Sequence, residues 1–83
     1  MNATTIATQA INQARSDYGE VDSVALPQSV FEAVQDEVTA AGGEVGFDHA
    51  IVDGIPVHGG IDDDDRRARI RLPGAGEAWI DLA

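Results

Sequence analysis

The hydrophobic repeat of this chain changes period once, at Gly42-Gly43, and that change limits the fold more than any other feature. Before it, apolar residues recur every three to four positions; after it they alternate. The longer period puts side chains on one face of a helix, the shorter one on one face of a strand. Two N-terminal helices followed by strands are therefore expected: an α+β domain with the helices packed on one face of a small antiparallel sheet of two hairpins. With 83 residues there is material for one core and hence one domain, 1–83.

The first helix is predicted over about residues 5–17. Ile6, Ala10, Ile11, Ala14 and Tyr18 recur at helical spacing, and Gly19 is a natural stop. In residues 21–26 Val24 and Leu26 alternate with Ser23 and Ala25, a stretch short enough to be an edge strand or a linker, and Pro27 excludes helical geometry at Leu26. The second helix is predicted over about residues 29–41. Ser29 and Glu32 have the spacing of a capping box, Val30, Phe31, Val34, Val38 and Ala41 line one face, and Gly42-Gly43 ends it.

Strands are predicted over about 44–52, 55–59, 67–72 and 78–82. Asp53-Gly54 signals a two-residue type I′ turn. That turn pairs Val52 with Ile55, Ile51 with Pro56, Ala50 with Val57 and His49 with His58. In the second hairpin a five-residue loop, 73–77, pairs Leu72 with Ala78, Ile70 with Ile80 and Ala68 with Leu82. Arg71 then meets Trp79 and Arg69 meets Asp81, a cation–π pair and an ion pair worth about 0.2–1 kcal/mol each. A slip of one residue would turn the arginines into the core. The sheet face away from the helices carries Ile51, Pro56, His58, Arg67, Arg69, Arg71 and Trp79, and these are the candidate protein-interface residues.

Composition narrows the function. There is no cysteine, so no disulfide framework or thiolate metal site. No apolar run approaches a membrane span and no leader pattern is visible. Fifteen acids against five arginines, with no lysine, give a formal charge of −10, which repels nucleic acid and anionic membranes. Acidity spread along a folded chain resembles the proteins of salt-loving archaea, where screening over about 3 Å at 1 M salt removes the self-repulsion.

The candidate chemistry is sparse. His49 and His58, paired as above, have Cβ atoms about 5 Å apart, close enough to share a metal, but Asp48 points to the other face, so a third ligand would have to come from Asp62 or beyond, and two ligands make a weak site. The four aspartates 62–65 lack the alternating spacing that wraps calcium and read as a solvated loop that offsets Arg66, Arg67 and Arg69. The arginine strand with Trp79 could contact phosphates and stack a base, but the net charge and the adjacent aspartates oppose it. The glycine pairs do not form a phosphate loop, and no nucleophile motif is present. No catalytic residue, metal or cofactor is expected.

Residues 50–57, Ala-Ile-Val-Asp-Gly-Ile-Pro-Val, follow an amphipathic helix opened by Leu26-Pro27. This arrangement resembles a helix, strand and h-x-G-h-P-V ending found in capsid and small virion proteins of tailed viruses. The resemblance covers some thirty residues and implies a minor virion component, a capsid-decorating, neck or tail subunit, assembled in the cytoplasm of a halophilic host. The expected function is thus a non-enzymatic structural subunit that docks on other protein subunits, in a homo- or hetero-oligomer, without nucleic acid or membrane. The alternative is an acidic mimic of nucleic acid that inhibits a host defence or DNA-binding protein.

Overall fold

The computed structural model describes residues 2–82. Helix α1 (Ala3–Tyr18) is followed by strand β1 (Ser23–Pro27), helix α2 (Gln28–Ala40), strands β2 (Ala50–Val52), β3 (Ile55–Ile61) and β4 (Arg67–Leu72), a short 3₁₀ turn (Pro73–Ala75) and strand β5 (Gly76–Asp81). The α+β class is as expected, with two helices on one face of one sheet. The sheet differs from expectation. It has five strands in the order β2-β3-β1-β4-β5, and β1 runs parallel to β3 while the other pairings are antiparallel.

The main correction concerns residues 21–26. Instead of an edge strand or linker, Ser23–Pro27 is the central strand, and every residue after Ser23 is buried. Val24 and Leu26 enter the core beneath the helices, while Ala25, on the opposite face, is a small side chain between its ladder partners His58 and Arg69. The alternation of Val24 and Leu26 with Ser23 and Ala25 marks a strand, but a run this short does not say whether that strand lies at the edge or the centre of a sheet. Pro27 is tolerated because pairing with β4 ends at Ala25 and the register with β3 slips between Ala25 and Pro27. The parallel pairing of β1 with β3 requires a long crossover, which α2 and β2 supply.

The two helices are held end to side. Asn2 caps α1 by accepting from the Thr5 N–H at 2.8 Å. The next backbone donors, Ala3 N–H and Thr4 N–H, reach across to the Glu37 carboxylate on α2 at 3.0 and 2.9 Å, and the Thr4 hydroxyl adds a third bond at 2.7 Å. These N–H groups have no partner within their own helix, so a carboxylate on the neighbouring helix satisfies them and complements the helix dipole. The same bonds hold the Glu37 carboxyl below its ordinary pKa, the Thr4 N–H most strongly.

The expected capping box of α2 is not formed. The helix begins one residue early, at Gln28, with Pro27 in the cap position and no side-chain cap of its own. The orphan Ser29 N–H donates instead to Asp63, 34 residues later, at 2.8 Å. Glu32 turns back only as far as the Gln28 amide. Because β1 runs straight into α2, Ser29 lies inside the first turn, where its side chain cannot cap.

The two hairpins differ. Asp53 and Gly54 both have positive φ, as a type I′ turn needs, and the pairs Val52–Ile55, Ile51–Pro56 and Ala50–Val57 form as expected. The strand ahead of the turn is shorter than predicted, because residues 44–49 fold back on themselves. Val45 bridges Ala50, and the Gly46 N–H donates to the His49 carbonyl. His49 therefore lies outside the ladder. In the second hairpin the loop is three residues long, with Gly74 and Ala75 both at positive φ, and Leu72 pairs with Gly76. Relative to expectation the register slips by two, to Ile70–Ala78 and Ala68–Ile80, so every side chain keeps its predicted face.

Candidate functional site

Both helices pack on the same sheet face, above Val24, Leu26, Val57, Ala68 and Ile70. No described element covers the opposite face. The pairings draw two lines across it. One runs from His58 on β3 through Ala25 on β1 and Arg69 on β4 to Trp79 on β5; the other joins Ser23, Arg71 and Glu77. Ile51 and Pro56 continue the face on β2 and β3, both half-buried. Arg67 completes it at the end of β4, paired with Asp81. The seven candidate interface residues thus share one surface. Ser23 and Ala25, which were not among the expected residues, lie at its centre because β1 does.

The register slip exchanges partners among these side chains. The expected Arg71–Trp79 and Arg69–Asp81 pairs are replaced by Arg71–Glu77, Arg69–Trp79 and Arg67–Asp81. It is the diagonal Arg67 guanidinium that lies over the Trp79 ring, 4.5 Å from its centroid. The same guanidinium donates through Nε and Nη2 to both oxygens of Asp65, at 2.8 and 2.9 Å. This two-pronged bond lowers the Asp65 pKa and raises that of Arg67. Trp79, 41% exposed, is therefore a large ring presented in a set orientation.

Arg69 and Arg71 make no ion pair among the described residues. The Arg69 Nε is buried without an acceptor. Across β1, the His58 Nδ1 lies 3.0 Å from the Asp48 carbonyl oxygen. A carbonyl only accepts, so this nitrogen carries the proton and Nε2 is left free. The rings of His49 and His58 approach to 6.3 Å at 49°, not the opposed pair expected from a continuous strand. Among the described residues no group of three histidine or carboxylate side chains is placed to hold a metal ion.

The aspartates 62–65 are engaged within the chain. Asp62 accepts from the Asp64 N–H, Asp63 caps α2, and Asp65 holds Arg67. The bond from the Ser29 N–H lowers the Asp63 pKa. Gly59 and Gly60 are also structural. A Cβ on Gly59 would lie 2.7 Å from the Phe31 ring, and the Gly60 N–H donates to the Gln28 side chain. The glycine pair therefore admits the start of α2 against β3.

A second surface feature departs from the sequence pattern. Phe47, placed by alternation in a strand with Val45, is fully exposed (102%) at the tip of the turn over residues 44–49. The Gln35 amide tethers that turn through the Gly46 carbonyl at 3.1 Å. The available signal was Gly46 beside Phe47, since glycine inside a strand pattern marks a bend.

Compared with known protein families, curated proteins and solved structures, the chain matches none.

Proposed function

We propose that the chain is a non-enzymatic interaction subunit that docks a partner protein on its open sheet face. The observation that carries this reading is the organisation of that face. A five-stranded sheet is covered by helices on one side only, and the other side presents Trp79, oriented by Arg67, beside two arginines without carboxylate partners among the described residues. Arginine and tryptophan are the side chains most often found as interface anchors. The charge pattern agrees: Arg67, Arg69 and Arg71 project from one strand of a chain whose formal charge is −10. The virion setting and the halophilic host belong to the proposal through the sequence resemblance of residues 50–57 and the lysine-free acidic composition. The acidic-mimic reading is less well supported, because Asp63 and Asp65 are occupied inside the chain.

The test is purification of the tagged chain from a halophilic host in molar KCl. Copurification of a discrete partner, lost in Trp79→Ala and Arg71→Glu but kept in Asp62→Asn/Asp64→Asn, is the expected result. A monodisperse monomer accompanied by no other subunit would refute the reading. Loss of the partner in the aspartate variant alone would assign the contact to the acids, as a mimic requires.

A further inference from the structure

One part of the open face is concave. The central strand contributes only Ser23 and Ala25 there, while the strands beside it carry His58, Arg69 and Arg71. Small residues between large ones leave a trough of about 360 Å³ along β1. Arg69 and Arg71 form one wall, and His58, held by its bond to the Asp48 carbonyl, forms the other. In a chain with fifteen acids and five arginines, these two guanidinium groups have no carboxylate partner among the described residues. The Arg69 Nε is buried and unbonded. A guanidinium stays charged and can only donate, so a buried N–H of this kind remains costly until an acceptor oxygen arrives.

We propose that this trough binds a carboxylate, an acidic side chain of the partner that docks on the open face, with Arg69 and Arg71 donating to its two oxygens and the Ser23 hydroxyl adjoining. The inference rests on the docking reading above and adds its chemistry. The surroundings favour a single carboxylate over a polyanion. Glu77 stands across from Arg71, Asp81 across from Arg67, and Asp65 occupies Arg67. One negative group fits between these acids, whereas a nucleic-acid strand would run past them and meet repulsion at each phosphate.

The experiment is an NMR titration of the ¹⁵N-labelled chain with a blocked pentapeptide of glycine and serine carrying one central glutamate, and with its glutamine counterpart. The glutamate peptide is expected to shift the amides of Ser23, Ala25, Arg69 and Arg71, and the glutamine peptide to leave them unmoved. Arg69→Gln and Arg71→Gln should each weaken binding about tenfold, the size expected when a charge-assisted donor is lost. The double lysine variant, which keeps the charge but not the planar fork, should fall between. Unchanged circular dichroism verifies that each variant is folded.

Equal response to both peptides, shifts centred on Arg15 or Arg66, or undiminished binding by the glutamine variants would overturn the proposal. So would tighter binding of an oligothymidylate at the same arginines, which would assign the trough to phosphate. Shifts that depend on protein concentration alone would assign it to a second copy of the chain. If the peptide fails while the partner still copurifies through Trp79, the docking face stands and only the carboxylate chemistry falls.

Discussion

The two faces of the sheet are built from alternate residues of the same strands, yet they are held by different forces. On β4, Ala68 and Ile70 are fully buried under the helices, while Arg67, Arg69 and Arg71 point the other way. The covered face is an apolar packing problem, in which each methyl group has neighbours and its loss leaves a void. The open face is a set of polar contacts, only some of them completed: Arg67 has Asp65 and Trp79, whereas Arg69 and Arg71 make no ion pair among the described residues, although Glu77 is the cross-strand neighbour of Arg71. The faces therefore differ in how far their contacts are completed: the covered one holds the fold, and the open one leaves Arg69 and Arg71 without an ion pair among the described residues.

The contrast is most easily broken at adjacent residues of β4. Ile70→Ala is expected to cost about 2–5 kcal/mol, as deletion of a buried aliphatic side chain does, read as a lower midpoint in urea. Arg71→Gln, one position away, should stay within about 0.5 kcal/mol. Equal losses would mean that the open face is also structural. Next in size, Gly59→Ala should cost about 1–3 kcal/mol, because the added methyl has to displace the Phe31 ring. A neutral result in thermal unfolding would show that α2 can move away from β3.

Arg69→Met sharpens the comparison, since its expected sign is unusual. Removing a buried donor that has no acceptor should leave stability unchanged or raise it by up to about 1 kcal/mol, while weakening docking. Destabilisation of that size instead would reveal an acceptor for Arg69 in solution.

The smallest effect belongs to three carboxylates that are exposed or half-buried. Glu37, Asp63 and Asp65 have pKa values lowered in the folded state, by bonds from Thr4, Ser29 and Arg67 in turn. The unfolded chain therefore takes up protons first. The stabilisation is fully present above the ordinary carboxylate range and is lost as pH falls through the lowered folded values. Asp63→Asn should flatten the acid limb of a pH-dependent melting curve; an unaltered limb would mean that the bond to Ser29 does not persist in solution. Solvent screening keeps each contribution modest.

The legible and illegible parts of the fold separate along physical lines. The Asp53-Gly54 turn was legible because few residue pairs accept two consecutive positive φ angles, and its register follows from the turn alone. The second loop was half legible. Alternation in residues 67–72 fixes which side faces the core, but a slip of two preserves that pattern, and the loop closes in three residues with Gly74 and Ala75 both at positive φ, an angle alanine seldom adopts. The candidate interface could be read from sequence as a face but not as a set of pairs, and the same slip exchanged the partners of Arg69 and Arg71. Ser29 and Glu32 show the opposite error: a local capping pattern present in the residues is overridden by Asp63, a distant group that reaches the same N–H.

Local periodicity and turn chemistry, then, were enough to establish two helices, the register of the first hairpin and the core-facing side of the strands in the second, because those depend on neighbours a few positions apart. The place of Ser23–Pro27 at the centre of the sheet, its parallel pairing with β3 and the trough along its outer surface were decided only by tertiary structure. Alternation over so few residues does not place a strand within a sheet, and which strands come to flank it is set by contacts between segments more than thirty residues apart.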